Sequence, residues 1–278
     1  MEYLTAIRKR LSQRLLNESR RIASFVDRRG CWLLGAWTVL AMVGGLLRAG
    51  VFFHRFPHLA SDDHIPELLA PPVLVAAAPW FAYLLVTRAY PKGSYFPQPA
   101  VSGTNSTKWR PVRHDLPQDR MALGFEGFLV SLAVGMLLSM VMRLVTYYLA
   151  MPAMPPGAPA WATAAFRIMT YDVAFLSFMY MTCFTMAQRA VPLFPRMLMV
   201  TWCYDLLMQL AIARTIASTG PVPDIVAGPF AALLSDNVRK VLISMVIWLP
   251  YLVVSPRVNA TFRRRVRAHT GHGKFARA

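Results

Sequence analysis

Acidic residues are scarce in this chain. It has 13 Asp and Glu against 30 Lys and Arg in 278 residues, a net charge of +17. Cysteine is scarcer still. Cys31, Cys183 and Cys203 form no C-x-x-C pair and all lie in apolar stretches, which excludes a disulfide framework and leaves them as small packing residues. Charged residues of both signs make up only 15%, well below the share that keeps an ordinary soluble domain hydrated. No glycine-rich phosphate loop and no paired acid–base or nucleophile set is present, so neither enzymatic activity nor a cofactor is expected.

What the chain has is hydrophobicity: 56% of residues are apolar and mean hydropathy is +0.40. These residues fall into six blocks, at 31–53, 68–87, 123–150, 162–187, 197–217 and 238–254. Crossing about 30 Å of hydrocarbon takes about 20 apolar residues at 1.5 Å each, so each block is read as a transmembrane helix. Pro71, Pro72 and Pro79 fall inside the second and predict a kink. The last block is the shortest and opens on Arg239 and Lys240. Residues 225–234, ahead of it, are apolar but too short to cross and read as an interfacial or re-entrant piece.

The basic residues sort by side. With the N-terminus inside, segments 1–30, 88–122, 188–196 and 256–278 hold 8, 6, 2 and 7 of them, 23 of the 30. The positive-inside rule then places both ends in the cytoplasm. Between blocks 1 and 2 the outer loop carries Asp62, Asp63 and Glu67, and residues 151–161 carry no charge. A basic surplus of this size would suggest nucleic acid in a soluble protein; placed as flanks to apolar blocks, it points to anionic inner-leaflet lipids. The fold class expected is therefore all-α: a polytopic transmembrane bundle of six spans, N-in and C-in.

Five regions follow. Residues 1–30 form a basic amphipathic segment in which Leu4, Ile7, Leu11 and Leu15 recur at helical spacing. It carries no cleavable signal, so the first span is expected to serve as signal anchor. Residues 31–90 form a two-span hairpin, and 91–121 a Pro, Ser and Thr-rich loop with little regular structure. That loop holds an Asn105-Ser106-Thr107 sequon on the predicted cytoplasmic side. Residues 122–262 form a four-span unit and 263–278 a basic tail. The exits Arg88-Ala89-Tyr90-Pro91 and Arg189-Ala190-Val191-Pro192 look alike. A divergent repeat of spans 1–2 in spans 3–4 and chance likeness between apolar helices both account for this.

The end of the sixth span is the most specific stretch: Trp248-Leu249-Pro250-Tyr251, then Ser255-Pro256-Arg257-Val258, then Thr261-Phe262. With Gly127-Phe128-Leu129 and Phe194-Pro195, it resembles a bacterial inner-membrane family, domain of unknown function 2569, over roughly residues 122–265. The resemblance implies a four-span membrane unit and no particular activity; residues 1–121 fall outside it. Physically, Pro250 loosens the end of the helix, Trp248 and Tyr251 suit the headgroup layer, and Arg257 faces phosphates.

Ionisable residues inside spans are costly and mark candidate sites. Asp205 comes first. Thr201, Asp205 and Gln209 follow at four-residue intervals, a polar stripe that should face other helices. It reads either as a proton or cation site or as a hydrogen-bonded packing contact. Arg143, Arg167, Asp172 and Arg214 are placed in the outer third, with Asp172 as counter-charge to Arg143 or Arg214. One Asp among three Arg leaves a positive excess suited to an anionic lipid or solute. Arg214, nine residues from Asp205, points the opposite way and should not pair with it. His54, His58 and His64 share a loop with Asp62 and Asp63, but Pro57 breaks their helical spacing and no metal is expected. Two functions remain open: a non-enzymatic accessory or scaffold protein of the envelope, with a membrane-protein partner or a second copy of itself, and a small transporter or anionic-lipid-handling protein using Asp205 and the arginines.

Overall fold

A computed structural model describes residues 17–19, 21–25, 28–59, 65–91, 109–111, 127–263 and 265–267. Six long helices dominate: α1 (Gly30–Arg55), α2 (Ile65–Ala89), α3 (Phe128–Ala150), α4 (Ala160–Gln188), α5 (Phe194–Ser218) and α6 (Asp224–Val254). A short helix, α7 (Pro256–Arg263), follows, and strand β1 (Trp109–Pro111) pairs antiparallel with β2 (Arg265–Arg267). Five of the helices are long and apolar enough to cross a membrane; α5 is long enough but too polar. Arg196, Asp205, Gln209 and Arg214 lower its hydropathy.

The most buried helix is α4, which packs against α2, α3 and α5. Outside it, α1 lies on α2 and α3, and α6 lies on α5 and α7. One core cluster runs from Leu34 on α1 to Phe262 on α7. The six long helices are joined so that Gly30, Ala89, Phe128, Gln188, Phe194 and Val254 fall at one end. There Arg189 Nη1 donates to the Tyr90 carbonyl at 2.5 Å, Gly127 N donates to Ser19 Oγ at 3.0 Å, and the Phe194 and Phe262 rings sit 5.0 Å apart. The two look-alike exits thus touch.

Small residues let α1 approach its neighbours. Ala41, Gly45 and Ala49 repeat every four residues on its buried face, the spacing by which membrane helices pack closely. A Cβ at Gly45 would overlap the Pro72 ring, and one at Gly44 would come within 2.5 Å of Tyr148. The three prolines in the interior of α2, Pro71, Pro72 and Pro79, are buried, and the helix runs unbroken through them. Pro79 has no N–H for the Val75 carbonyl four residues back. Trp37 Nε1 from α1 donates to that oxygen at 3.1 Å, so the neighbouring helix supplies the missing bond. Trp80 Nε1 reaches Thr38 Oγ1 at 2.8 Å and Tyr148 Oη reaches the Ala41 carbonyl at 2.6 Å, completing the clasp on α1.

At its end, α4 closes with a left-handed residue. Val191 N donates to Met186 O and Ala190 N to Ala187 O, the paired bonds of a Schellman cap. Ala190, with φ 52°, holds the position glycine favours. Ala190→Gly is therefore expected to stabilise the protein by about 0.5–1 kcal/mol, seen as a higher midpoint in thermal unfolding in detergent.

Three expectations change. Residues 225–234 are no separate re-entrant piece. They are the first part of α6, a 31-residue helix about 46 Å long at 1.5 Å per residue. Its polar belt stays helical because Asp236 pairs with Arg239 on the exposed side and Asn237 turns inward. The loop at 91–121 is not wholly irregular, since residues 109–111 pair with 265–267; the alternating Arg-Val-Arg tail suits extended backbone. Residues 256–263 form a packed helix with buried Val258, Asn259, Thr261 and Phe262, so the stretch after α6 is more than an anchor. Ser255 caps it through Oγ to Val258 N at 3.5 Å, with Pro256 in the first turn. Leu4, Ile7, Leu11, Leu15, the sequon, His64, Asp62 and Asp63 lie outside the described residues.

Candidate functional site

A membrane helix hides a polar side chain only by turning it toward another helix. On α5, Thr201, Asp205 and Gln209 share one face and are all buried, Asp205 completely. On α4, Asp172 and Tyr180 lie two turns apart and both are buried. Arg143 comes from α3. These three helices meet at mid-height, where a single guanidinium bridges two carboxylates. Arg143 Nη1 donates to Asp172 Oδ2 at 2.7 Å, and Nη2 donates to Asp205 Oδ1 and Oδ2 at 2.6 and 2.7 Å.

Further donors converge on Asp205. Tyr180 Oη donates to Oδ2 at 3.0 Å and Gln209 Nε2 to Oδ1 at 3.4 Å. Gln209 Oε1 in turn accepts from Asn237 Nδ2 of α6 at 3.4 Å. Four helices are thus tied through one carboxylate. By contrast, Asp172 Oδ1 is buried and accepts no hydrogen bond from the described residues. Thr201 lies next to the network but outside it; its hydroxyl donates to the Met197 carbonyl and contacts Cys183 Sγ at 3.3 Å.

The arginines do not gather. Arg143 enters the network, while Arg167 and Arg214 are exposed. Asp172 pairs with Arg143 and not Arg214, and Arg214 points away from Asp205 as its nine-residue offset requires. The buried set holds two carboxylates and one guanidinium, so the excess is acidic where a positive one was expected. The expectation failed because hydropathy gives depth along a helix, and rotation about the helix axis decides pairing. Tyr180 and Asn237 were missed. Tyr180 was within reach, eight residues after Asp172 on the same helical face.

The stretches quoted for the family resemblance come together at the other functional-looking place, the end where residues 127, 194 and 262 meet. Phe128 packs on Trp248 and Tyr251 at ring separations of 6.0 and 5.7 Å. Phe194, before Pro195, packs against Phe262 with the rings tilted 40° to each other. Gly127 holds φ 65°, a conformation that strains any residue with a Cβ, and such a Cβ would lie 3.0 Å from Arg257 Nη1. Asn259 Nδ2 donates to the carbonyls of Val253 and Ser255 at 3.0 and 2.9 Å, closing the end of α6. Pro250 itself is exposed. Among the described residues no His, Cys, Asp and Glu gather as a metal set; His54 faces an apolar groove on α1 and His58 lies edge-on to Phe56.

No protein-family model, curated protein or solved structure matches the chain.

Proposed function

We propose that this integral membrane protein crosses a bacterial inner membrane six times with both ends in the cytoplasm, and that it acts without catalysis as an accessory or scaffold component of the cell envelope. The saturation of Asp205 carries this reading. Arg143, Tyr180 and Gln209 engage both its oxygens, and the donors all come from the bundle itself. Such a network fixes helix register and leaves neither oxygen of Asp205 without a donor. Six passes are supported by the shared end of the six long helices, although α5 alone would be too polar to insert without its neighbours. Orientation is supported by the 23 basic residues collected in the segments at that end, where anionic inner-leaflet lipids would meet them. The convergence of residues 127–129, 194–195 and 248–262 supports membership of the unknown-function family, with α1 and α2 as an addition to its four-span unit.

The transport reading keeps one specific support, the unpartnered Asp172 Oδ1. One experiment separates the two. Asp205→Asn and Asp172→Asn are each expressed at normal level in cells deleted for the protein. Full complementation by both is expected; failure of either at normal protein level would favour an ion-coupled role. A reporter fused after Ala278 is expected to be active only in the cytoplasm.

A further inference from the structure

At the end of the bundle away from Gly30 and Val254, a cleft of about 1100 Å³ opens between α1, α2, α4 and the α3–α4 connection. Its wall is mostly apolar, with Pro71 and Leu74 on α2 and Ala153 and Pro155 in the connection. One cationic side chain is buried in it. Arg48 is 8% exposed and lines the cleft, because it shares the inward face of α1 with Gly45, Ala49 and Phe52.

The packing fixes Arg48 with no neutralising carboxylate among the described residues. Nη1 donates to Tyr147 Oη at 3.0 Å, and that hydroxyl is 2.6 Å from Thr170 Oγ1, which donates to the Phe166 carbonyl at 2.7 Å. The rings of Tyr147, Tyr148 and Phe166 surround the guanidinium at 5.0–5.3 Å. Aromatic faces favour a cation, but they take none of its N–H groups. A guanidinium has five donors, and among the described residues one is used. Among the described residues no carboxylate pairs with it. Glu67 lines the cleft without forming an ion pair, and exposed Arg167 lies at its margin.

A buried arginine whose donors are mostly unused and which has no counter-ion among the described residues, at the foot of an apolar cleft, has the chemistry of an anion receptor. We infer that the cleft binds a phosphate group carried on an apolar chain, with Arg48 as the anchor and Arg167 as a second contact. The inference stands on the cleft alone and does not depend on the scaffold reading or the topology.

The test uses the full chain purified in detergent. Native mass spectrometry follows retention of phosphatidylglycerol, of a galactolipid without phosphate, and of inorganic phosphate. The parent protein is expected to retain phosphatidylglycerol and lose the galactolipid. Arg48→Gln should weaken retention about tenfold or more, Arg48→Lys much less, and Arg167→Gln about threefold. Arg214→Gln, outside the cleft, should change nothing. Because Arg48→Gln can disturb folding, Arg167→Glu at the exposed margin gives an independent reading and should weaken retention further than Arg167→Gln. Displacement of the lipid by millimolar inorganic phosphate, with the same dependence on Arg48, would assign the site to the phosphate alone and uphold the anion receptor. Equal retention of phosphatidylglycerol and galactolipid, or retention unmoved by both Arg48→Gln and Arg167→Glu, overturns it.

Discussion

Arg143→Met should destabilise the bundle by about 3–5 kcal/mol, the largest loss expected from a single substitution here. The change removes the one cation between Asp172 and Asp205 and leaves two buried carboxylates facing each other across α4 and α5. Asp205 would keep Tyr180 and Gln209, while Asp172 would keep nothing, since its other oxygen already lacks a partner. Water is not at hand to replace the lost bonds at this depth. The measurement is thermal or denaturant unfolding in a fixed detergent. A companion variant distinguishes charge from shape: Arg143→Met with Asp172→Leu and Asp205→Leu removes all three charges at similar volume. It should recover most of the loss, because a removed ion set is far less costly than a broken one. An unchanged midpoint for the single variant, or a triple variant as weak as the single, would sink the account of this network as the tie between helices.

The second large effect is steric. Gly45→Val should cost about 2–3 kcal/mol, because the new Cβ would overlap the Pro72 ring and a proline ring has no rotamer by which to withdraw. The strain would pass to α1 as a whole, shifting the Trp37 bond to Val75 and the seat of Arg48 one turn on. Gly50 is the control. It is exposed and has open space around it, so Gly50→Val should leave the unfolding midpoint unchanged. Equal midpoints for the two variants would show that α1 does not rest closely on α2.

The long helices could be read from composition because lipid imposes a crude rule. A run of about 20 apolar residues bounded by cations has few other fates. What that rule lacks is rotation. Asp205 and Arg214 were separable because both are on one helix, where angle follows from residue count. Arg143 and Asp172 are on different helices, and nothing in either sequence fixes how the two turn to each other. The same blindness holds for Arg48, whose facing hydropathy leaves open and which the fold buries. Its position was legible in retrospect, since Arg48 falls in phase with Ala41, Gly45, Ala49 and Phe52, the small-residue face of α1. The extent of α6 was missed for another reason. Hydropathy drops at Asp236, Asn237, Arg239 and Lys240 and suggests an end, yet backbone hydrogen bonds do not sense side-chain polarity. The strand pair at 109–111 and 265–267 joins residues more than 150 apart in the chain, beyond any local signal.

The order in which the network's members leave the ribosome has its own consequence. Arg143 is made 29 residues before Asp172 and 62 before Asp205. At about 5–20 residues per second, the second carboxylate arrives about 3–12 s after the arginine. Throughout that interval α3 carries a guanidinium worth about 2.5–3.5 kcal/mol against insertion, offset by the high hydropathy of the rest of the helix. Retention of α3 beside the translocation machinery until α4 and α5 emerge is therefore the expected route. Slowing synthesis between codons 143 and 205 should lower the yield of inserted protein more than slowing it after codon 218.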